Sequence, residues 1–239
     1  MASIRGGVAG LLLSASLVTL AVEPAQAEWM FDLYGGASRT RPADLRVTGT
    51  DDTGASVDGS LSDVEPDTGF TAGLRGGYWL ESLPFLGFGL DLFYFEAPVP
   101  AQTTTATAAF SGELLGKPIA VSAAGDVRIP SVTLPGLGFA PEVYLRLPLL
   151  VSASYPRGRL QPYITGGPAF AFSLDNEEVE LQVGGKIGGG LAVYLFKALA
   201  LFAEYRYTFF PDFALVDRDL EYKVDLDTHH VVVGLSLRF

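Results

Sequence analysis

Leu199-Ala200-Leu201-Phe202-Ala203-Glu204-Tyr205-Arg206-Tyr207-Thr208-Phe209 decides how the rest of this 239-residue chain is read. As part of a longer apolar run from Leu191 to Phe210 it suggests a helix, but Lys197, Glu204 and Arg206 interrupt that run. Taken two residues at a time it sorts cleanly. Leu199, Leu201, Ala203, Tyr205, Tyr207 and Phe209 share one face, and Glu204, Arg206 and Thr208 share the other. Successive strand side chains point to opposite sides, so a period of two predicts a strand with one apolar and one polar face.

The same alternation recurs in both directions. Towards the C-terminus Val231, Val233, Leu235, Leu237 and Phe239 oppose His230, Gly234, Ser236 and Arg238. Upstream, Ile187, Leu191, Val193 and Leu195 oppose Lys186, Gly188, Gly190 and Ala192, and Phe139, Val143, Leu145 and Leu147 oppose Glu142, Tyr144 and Arg146. Further back, Phe88, Leu90, Leu92 and Tyr94 oppose Gly87, Gly89 and Asp91, and Phe70, Ala72, Leu74, Gly76 and Tyr78 oppose Thr71, Gly73, Arg75 and Gly77. Trp29, Phe31 and Leu33 oppose Asp32 and Tyr34. With 160–172 these segments make about eight strands, each near the ~9–11 residues with which a tilted strand crosses a bilayer.

The connections alternate in character. One pair of strands is joined by Glu81-Ser82-Leu83-Pro84 and another by a tight turn near Lys197, whereas 40–67, 98–130, 174–183 and 211–227 are long, polar or acidic. Short turns at one end and long loops at the other predict an all-β, up-and-down antiparallel transmembrane barrel. The stretch 103–129 alternates weakly around a turn at 112–117. It is either a hairpin projecting beyond the bilayer or a strand pair that makes the barrel ten-stranded. Pro135, Pro141, Pro162 and Pro168 fall in the fourth and fifth strands, where a missing ladder donor predicts bulges or strand ends.

One face of almost every strand is free of charge and rich in aromatics, so the predicted barrel is inside out relative to a soluble one. A lipocalin-like soluble barrel would bury its charges with no surface to receive them. In hydrocarbon only a helix or a closed barrel satisfies every backbone group, and Trp29, Tyr78, Tyr94, Tyr207 and Phe239 fall near strand ends, as interfacial girdles do. With about eight strands the lumen is only wide enough for side chains to fill. Asp32, Asp91, Glu142 and Glu204 must therefore lie near Arg75, Arg146, Lys186, Arg206 and Arg238, because unpaired buried ions are costly. A network of ion pairs closing the lumen is expected in preference to a wide pore.

Residues 1–27 read as an export signal: Arg5, an apolar run from Val8 to Val22, and Ala25-Gln26-Ala27 as a small-x-small cleavage site. The barrel domain is then 28–239, and the residue after the cut, Glu28, is not Cys, which disfavours a lipoprotein anchor. The whole chain has 16 Lys and Arg against 27 Asp and Glu, a formal charge of −11, and no Cys. Disulfides and Cys-ligated metals are excluded, and nucleic acid is not the expected partner of so acidic a chain. With 49% hydrophobic residues, disorder is not expected either.

Gly69-Phe70-Thr71-Ala72-Gly73-Leu74-Arg75-Gly76-Gly77-Tyr78, the strand 87–95, Pro162-Tyr163-Ile164-Thr165-Gly166-Gly167 and a last strand ending in Phe239 carry a resemblance. In these the chain is similar to the small outer-membrane β-barrel proteins of Gram-negative bacteria, the OmpA/OmpX/opacity-protein type. The resemblance implies an integral outer-membrane location among lipid and lipopolysaccharide. It also implies that Phe239, with Leu237 and Leu235, forms the signal read by the barrel-assembly machinery. It says less about activity, because this scaffold hosts adhesins, structural anchors, small channels and lipid A-modifying enzymes.

The chain offers little enzyme chemistry. The two histidines, His229 and His230, are adjacent on one strand and point to opposite faces, so they do not readily chelate one metal. A related outer-leaflet lipid A deacylase has Ser two positions after its lipid-side His, and here that position is Val231. The run 112–118 imitates a phosphate loop but is one residue short between its glycines and ends in Pro118. Acidic residues crowd the long loops: Asp51, Asp52, Asp58, Asp63, Glu65 and Asp67 in the first; Asp175, Glu177, Glu178 and Glu180 in the third; Asp212, Asp217, Asp219, Glu221, Asp225 and Asp227 in the last. No spacing matches an EF-hand. No cofactor and no resident metal are expected. The expected protein is a monomeric, non-enzymatic barrel that acts in envelope structure or through its loops, with an unnamed loop ligand. A narrow channel or carrier for small or apolar solutes, resembling the OmpW group, is the alternative; a lipid A-modifying enzyme is the third reading.

Overall fold

The computed structural model describes residues 28–50, 55–114, 117–147, 160–174, 179–217 and 220–239. The expected export signal, 1–27, lies outside the described residues. The strands are β1 (Glu28–Thr40), β2 (Ala43–Thr50), β3 (Ser56–Val64), β4 (Thr68–Trp79), β5 (Leu86–Val99) and β6 (Gln102–Leu114). They continue as β7 (Lys117–Ile129), β8 (Val132–Arg146), β9 (Leu160–Leu174), β10 (Val179–Phe196), β11 (Leu199–Asp217) and β12 (Leu220–Arg238).

Eight of these strands, in the order β1-β4-β5-β8-β9-β10-β11-β12, form an antiparallel sheet that closes on itself where β1 pairs with β12 from Met30↔Arg238 to Thr40↔Thr228. The barrel is therefore eight-stranded. The stretch 103–129 forms β6 and β7, and with β2 and β3 it builds a sheet at the end of the barrel remote from Glu28 and Phe239. In that sheet β12 pairs with β2 from Leu220↔Gly49 to Val224↔Leu45, β2 with β3, β3 with β6, and β6 with β7. It thus prolongs one side of the barrel as a wall. Two stretches read as long loops, 40–67 and 98–130, are largely this wall, because alternation as short as Leu45 and Val47 against Asp44, Arg46 and Thr48 still suffices for a strand.

The outward face of the barrel is apolar. Phe31, Leu33, Leu74, Leu90, Leu92 and Leu235 are all exposed, and their cross-strand neighbours on the same face are also apolar or Gly. In water such a band is an open cost; in hydrocarbon it is the expected exterior of a closed barrel. At the terminal end Trp29 and Tyr78 meet edge-on, their ring centroids 4.9 Å apart, and midway along β8 Phe139 stacks on Phe170 at 4.8 Å.

The four strand prolines do not produce bulges. The β8–β9 register runs from Leu137↔Phe172 to Phe139↔Phe170 and resumes at Val143↔Gly166 without a shift, so Pro141 and Pro168 stand opposite each other in the gap. Leu147 donates its N–H to the Pro162 carbonyl at 2.9 Å. Every second residue of an antiparallel strand bonds the same neighbour, which puts Pro141 and Pro168 in a pair whose two N–H groups are both missing. Because the two defects coincide, neither strand gains an extra residue. The strands stay close: a Cβ on Gly167 would lie 1.9 Å from the Pro141 carbonyl oxygen. Pro135 and Pro162 sit within continuous registers opposite Glu96 and Leu191. The register shifts among the described strands are at Tyr194/Phe196, before the turn to β11, at Phe210/Phe213 in β11, and in the wall at Ala43/Leu45.

Candidate functional site in the barrel interior

The inward faces of seven barrel strands send ionic or phenolic side chains to one place. Arg75 on β4 grips Asp32 on β1 with a forked contact, Nε to Oδ2 at 2.8 Å and Nη2 to Oδ2 at 2.7 Å, and reaches Glu204 on β11 with Nη1 at 2.8 Å. Glu204 also pairs with Arg206, whose Nη1 lies 3.1 Å from Asp91 on β5. Asp91 in turn pairs with Lys186 on β10, which lies 2.8 Å from Glu142 on β8. The chain of contacts Asp32–Arg75–Glu204–Arg206–Asp91–Lys186–Glu142 crosses the whole interior, and Asp32 and Asp91 are 0% exposed.

Hydroxyls complete it. Tyr34 donates to Asp91 at 2.8 Å, Tyr163 donates to Glu204 at 2.5 Å, Tyr144 donates to Glu142, and Ser236 donates to Asp32. The Arg206 guanidinium lies 3.9 Å from the Tyr34 ring centre, and Arg75 is enclosed by Tyr144 and Phe202 at 5.3 and 5.1 Å. Such rings stabilise a desolvated cation through their π faces. Two glycines make the room. A Cβ on Gly73 would lie 2.2 Å from the Tyr34 hydroxyl oxygen, and one on Gly190 would lie 2.8 Å from the Tyr163 ring.

Arg146 and Arg238 do not join this network. They form a second cluster at the terminal end, where Glu28 lies 2.5 Å from Arg146 Nη2 and 3.9 Å from Arg238 Nε. Both arginines lie over the Trp79 ring, Arg146 4.0 Å and Arg238 5.9 Å from its centre, and Tyr194 donates to Glu28 at 3.3 Å. Across both clusters five carboxylates face five cations. The tenth ion, Glu28, escaped the sequence reading, as did Tyr163; both lay at the margin of a proposed strand. Tyr34 and Tyr144 were legible, since each stands two residues from an inward carboxylate and so shares its face.

Towards the wall end the interior turns apolar, with Phe93, Phe95, Phe210, Phe213 and Leu226 packed together. His230 is buried there, its Nε2 2.8 Å from the Thr208 hydroxyl and its ring edge-on to Phe95 at 5.6 Å. His229 faces out, with Nδ1 2.6 Å from the Tyr205 hydroxyl. Among the described residues no three His, Asp or Glu side chains are grouped to hold a metal ion. Many loop carboxylates, Asp51, Asp52, Asp175, Glu177, Glu178 and Asp219 among them, lie outside the described residues. At the C-terminus Leu235, Leu237 and Phe239 are exposed on the outward face, and Phe239 and Trp29 exchange two backbone hydrogen bonds of 2.8 and 3.1 Å.

No protein-family model matches the chain, and no curated protein matches it. Among solved structures, the Neisserial surface protein A is similar over 90% of this chain and 99% of its own at 12% identity and a TM-score of 0.44. The outer membrane protein OprG from Pseudomonas aeruginosa is similar over 88% of this chain and 95% of its own, at 14% identity and a TM-score of 0.46. The outer membrane protein AlkL is similar over 100% of this chain and 96% of its own, at 15% identity and a TM-score of 0.37. The closed all-β antiparallel barrel itself is read from the strand pairing, in which β1 meets β12.

Proposed function

We propose that this chain is an integral outer-membrane protein, exported by cleavage after Ala27, whose eight-stranded barrel is closed to solutes by its own side chains. Its role is non-enzymatic, in envelope structure or in surface interaction through the wall and the acidic loops. It works as a monomer among outer-membrane lipid and lipopolysaccharide, and Leu235, Leu237 and Phe239 present its assembly signal. The observation that carries this reading is the ion network, which joins side chains from β1, β4, β5, β8, β10 and β11 across the interior. An interior so filled has no room for a wide water column.

Conductance in a planar bilayer tests it, with a boiled-versus-unboiled gel shift to demonstrate folding. The folded barrel is expected to be silent. Reproducible conductance steps that change with Glu204→Gln would replace this reading with a channel.

A second reading, carriage of apolar solutes, draws on one observation. Val47, Leu45, Val57, Leu61, Phe110 and Val121 share a single face of the wall by their cross-strand register. A liposome uptake assay with an apolar solute separates the two: faster entry with intact protein than with protein-free vesicles would favour carriage.

A further inference from the structure

On the lipid-facing side of the rim, three neighbouring strands place donors side by side. Arg39 on β1 stands opposite His229 on β12, and His229 stands opposite Tyr207 on β11. One step further out Arg41 donates its backbone N–H to Asp227 at 2.8 Å, and its side chain lies 3.8 Å from the Asp227 carboxylate while staying 61% exposed. Arg39 is exposed and has no ion-pair partner among the described residues. The Tyr205 hydroxyl and His229 Nδ1 share a hydrogen bond of 2.6 Å; in the tautomer in which the hydroxyl donates, the imidazole proton sits on Nε2 and is available to a ligand. Tyr205 and Tyr207 flank the imidazole at ring distances of 6.0 and 5.1 Å and hold it in place. Asp227 on this face pairs with Arg41 and also hydrogen-bonds Tyr207, Glu96 accepts from the Tyr94 hydroxyl at 2.8 Å, and Asp225, two residues from Asp227 on the same face, is exposed.

The depth of this cluster follows from a separate observation. Below it the outward face is apolar, as hydrocarbon demands. Just beyond it, at Pro42, the chain leaves β1 and enters the wall, whose outward face is polar: Ser60 bonds Thr107 at 2.7 Å and Ser56 bonds Ser111 at 2.6 Å. The cluster sits at the switch from one solvent to the other, the level of lipid headgroups. Long arginine side chains at that level keep their stems in the apolar layer and their guanidinium groups among the headgroups.

We propose that Arg39, Arg41 and His229 form a binding site for the phosphate of an anionic lipid in the leaflet that surrounds the rim. The proposal rests on the outer-membrane barrel reading above. Guanidinium forks match phosphate oxygens in geometry and charge, and each basic group near an anionic lipid surface adds to the attraction. In a chain of formal charge −11, two arginines and a histidine stand on this lipid-facing spot beside Asp227 and Asp225, and Arg39 is the cation there with no ion-pair partner among the described residues.

The test is native mass spectrometry of the full refolded barrel in a neutral detergent, titrated in separate arms with phosphatidylglycerol, phosphatidylcholine and inorganic phosphate. The gel shift establishes folding first, so failure of the barrel reading and failure of the site are distinguishable. Phosphatidylglycerol is expected to be retained preferentially, and the Arg39→Gln/Arg41→Gln double variant to weaken that retention by about tenfold or more. Arg128→Gln, on the wall, is expected to leave it unchanged. Equal retention of both lipids, or unchanged retention in the double variant, would overturn the site. Displacement of phosphatidylglycerol by equimolar inorganic phosphate would assign the donors to a soluble anion and overturn the lipid assignment.

Discussion

The barrel and the wall are made of the same kind of strand, with the same period of two, yet they sort their residues in opposite directions. On β5 in the barrel, Leu90 and Leu92 face out while Asp91 and Phe93 face in. On β2, β3 and β6 in the wall, Leu45, Val47, Leu61, Ala106 and Ala108 share the face of Val224, which packs against the interior cluster of Phe210 and Leu226. The opposite face carries Arg46, Thr48, Ser60 and Thr107. The inversion occurs across four short junctions, 41–42, 65–67, 100–101 and 130–131, and each contains one proline: Pro42, Pro66, Pro100 and Pro130. A missing ladder donor lets the strand break and turn over at the level where the solvent changes. Alternation therefore identifies a strand, and the side on which its apolar residues fall identifies the medium.

The interior ions exist only where the wall closes into a barrel, and the strongest test of the comparison removes their hub. Arg75→Met leaves Asp32 and Glu204 buried without their shared cation, a loss expected to cost about 3–5 kcal/mol. Urea unfolding of the barrel in lipid vesicles, followed by tryptophan fluorescence, measures it. Adding Asp32→Asn and Glu204→Gln to that variant is expected to restore most of the loss, because the uncompensated charges are then gone. If Arg75→Met alone were neutral, the network would not hold the interior together.

A charge placed on the two kinds of apolar face separates them next. Leu92 is 49% exposed on the barrel exterior and Val127 is 45% exposed on the wall, so accessibility alone does not distinguish them. Leu92→Arg is expected to destabilise by about 2–4 kcal/mol, as an arginine near the midplane of a bilayer does. Val127→Arg is expected to change stability by about 0.5 kcal/mol or less, because water receives the charge. Equal costs at the two positions would place the wall in hydrocarbon too and erase the inversion.

Most of the barrel was legible because β1, β4, β5, β8, β10, β11 and β12 each alternate over six or more residues between an apolar face and a face of Gly, polar and occasional ionic residues. The central network was legible for the same reason: a charge on an inward face of a narrow barrel must meet its counter-charge. The split of Arg146 and Arg238 into a second cluster was not. Strand faces fix which way a side chain points and not its height in the barrel, and Glu28, their counter-ion, begins β1 where no alternation precedes it. The β6–β7 half of the wall was legible as a hairpin projecting beyond the bilayer, while β2 and β3 were hidden because they are short, 8 and 9 residues, and polar on one face, so they resemble loops until the pairing of β12 with β2 is known.

The proline pair predicts the smallest effect and the only gain. Pro141 and Pro168 face each other on the outward side of the β8–β9 seam, and the pair lacks two ladder hydrogen bonds. Restoring donors with Pro141→Ala/Pro168→Ala adds up to two backbone bonds, each worth about 0.5–1.5 kcal/mol, against the greater freedom of the unfolded chain that two fewer prolines allow. The net expectation is a gain of about 1 kcal/mol in the same unfolding assay, with slower amide exchange at Ala140, Glu142, Gly167 and Ala169. The wall serves as the internal control. Pro100→Ala lies at a junction where the strand turns over, so no ladder bond awaits its N–H, and no such gain is expected. A gain at Pro100 as large as at the seam would mean that the junction is an interrupted strand like β8, and that the inversion between barrel and wall does not depend on its prolines.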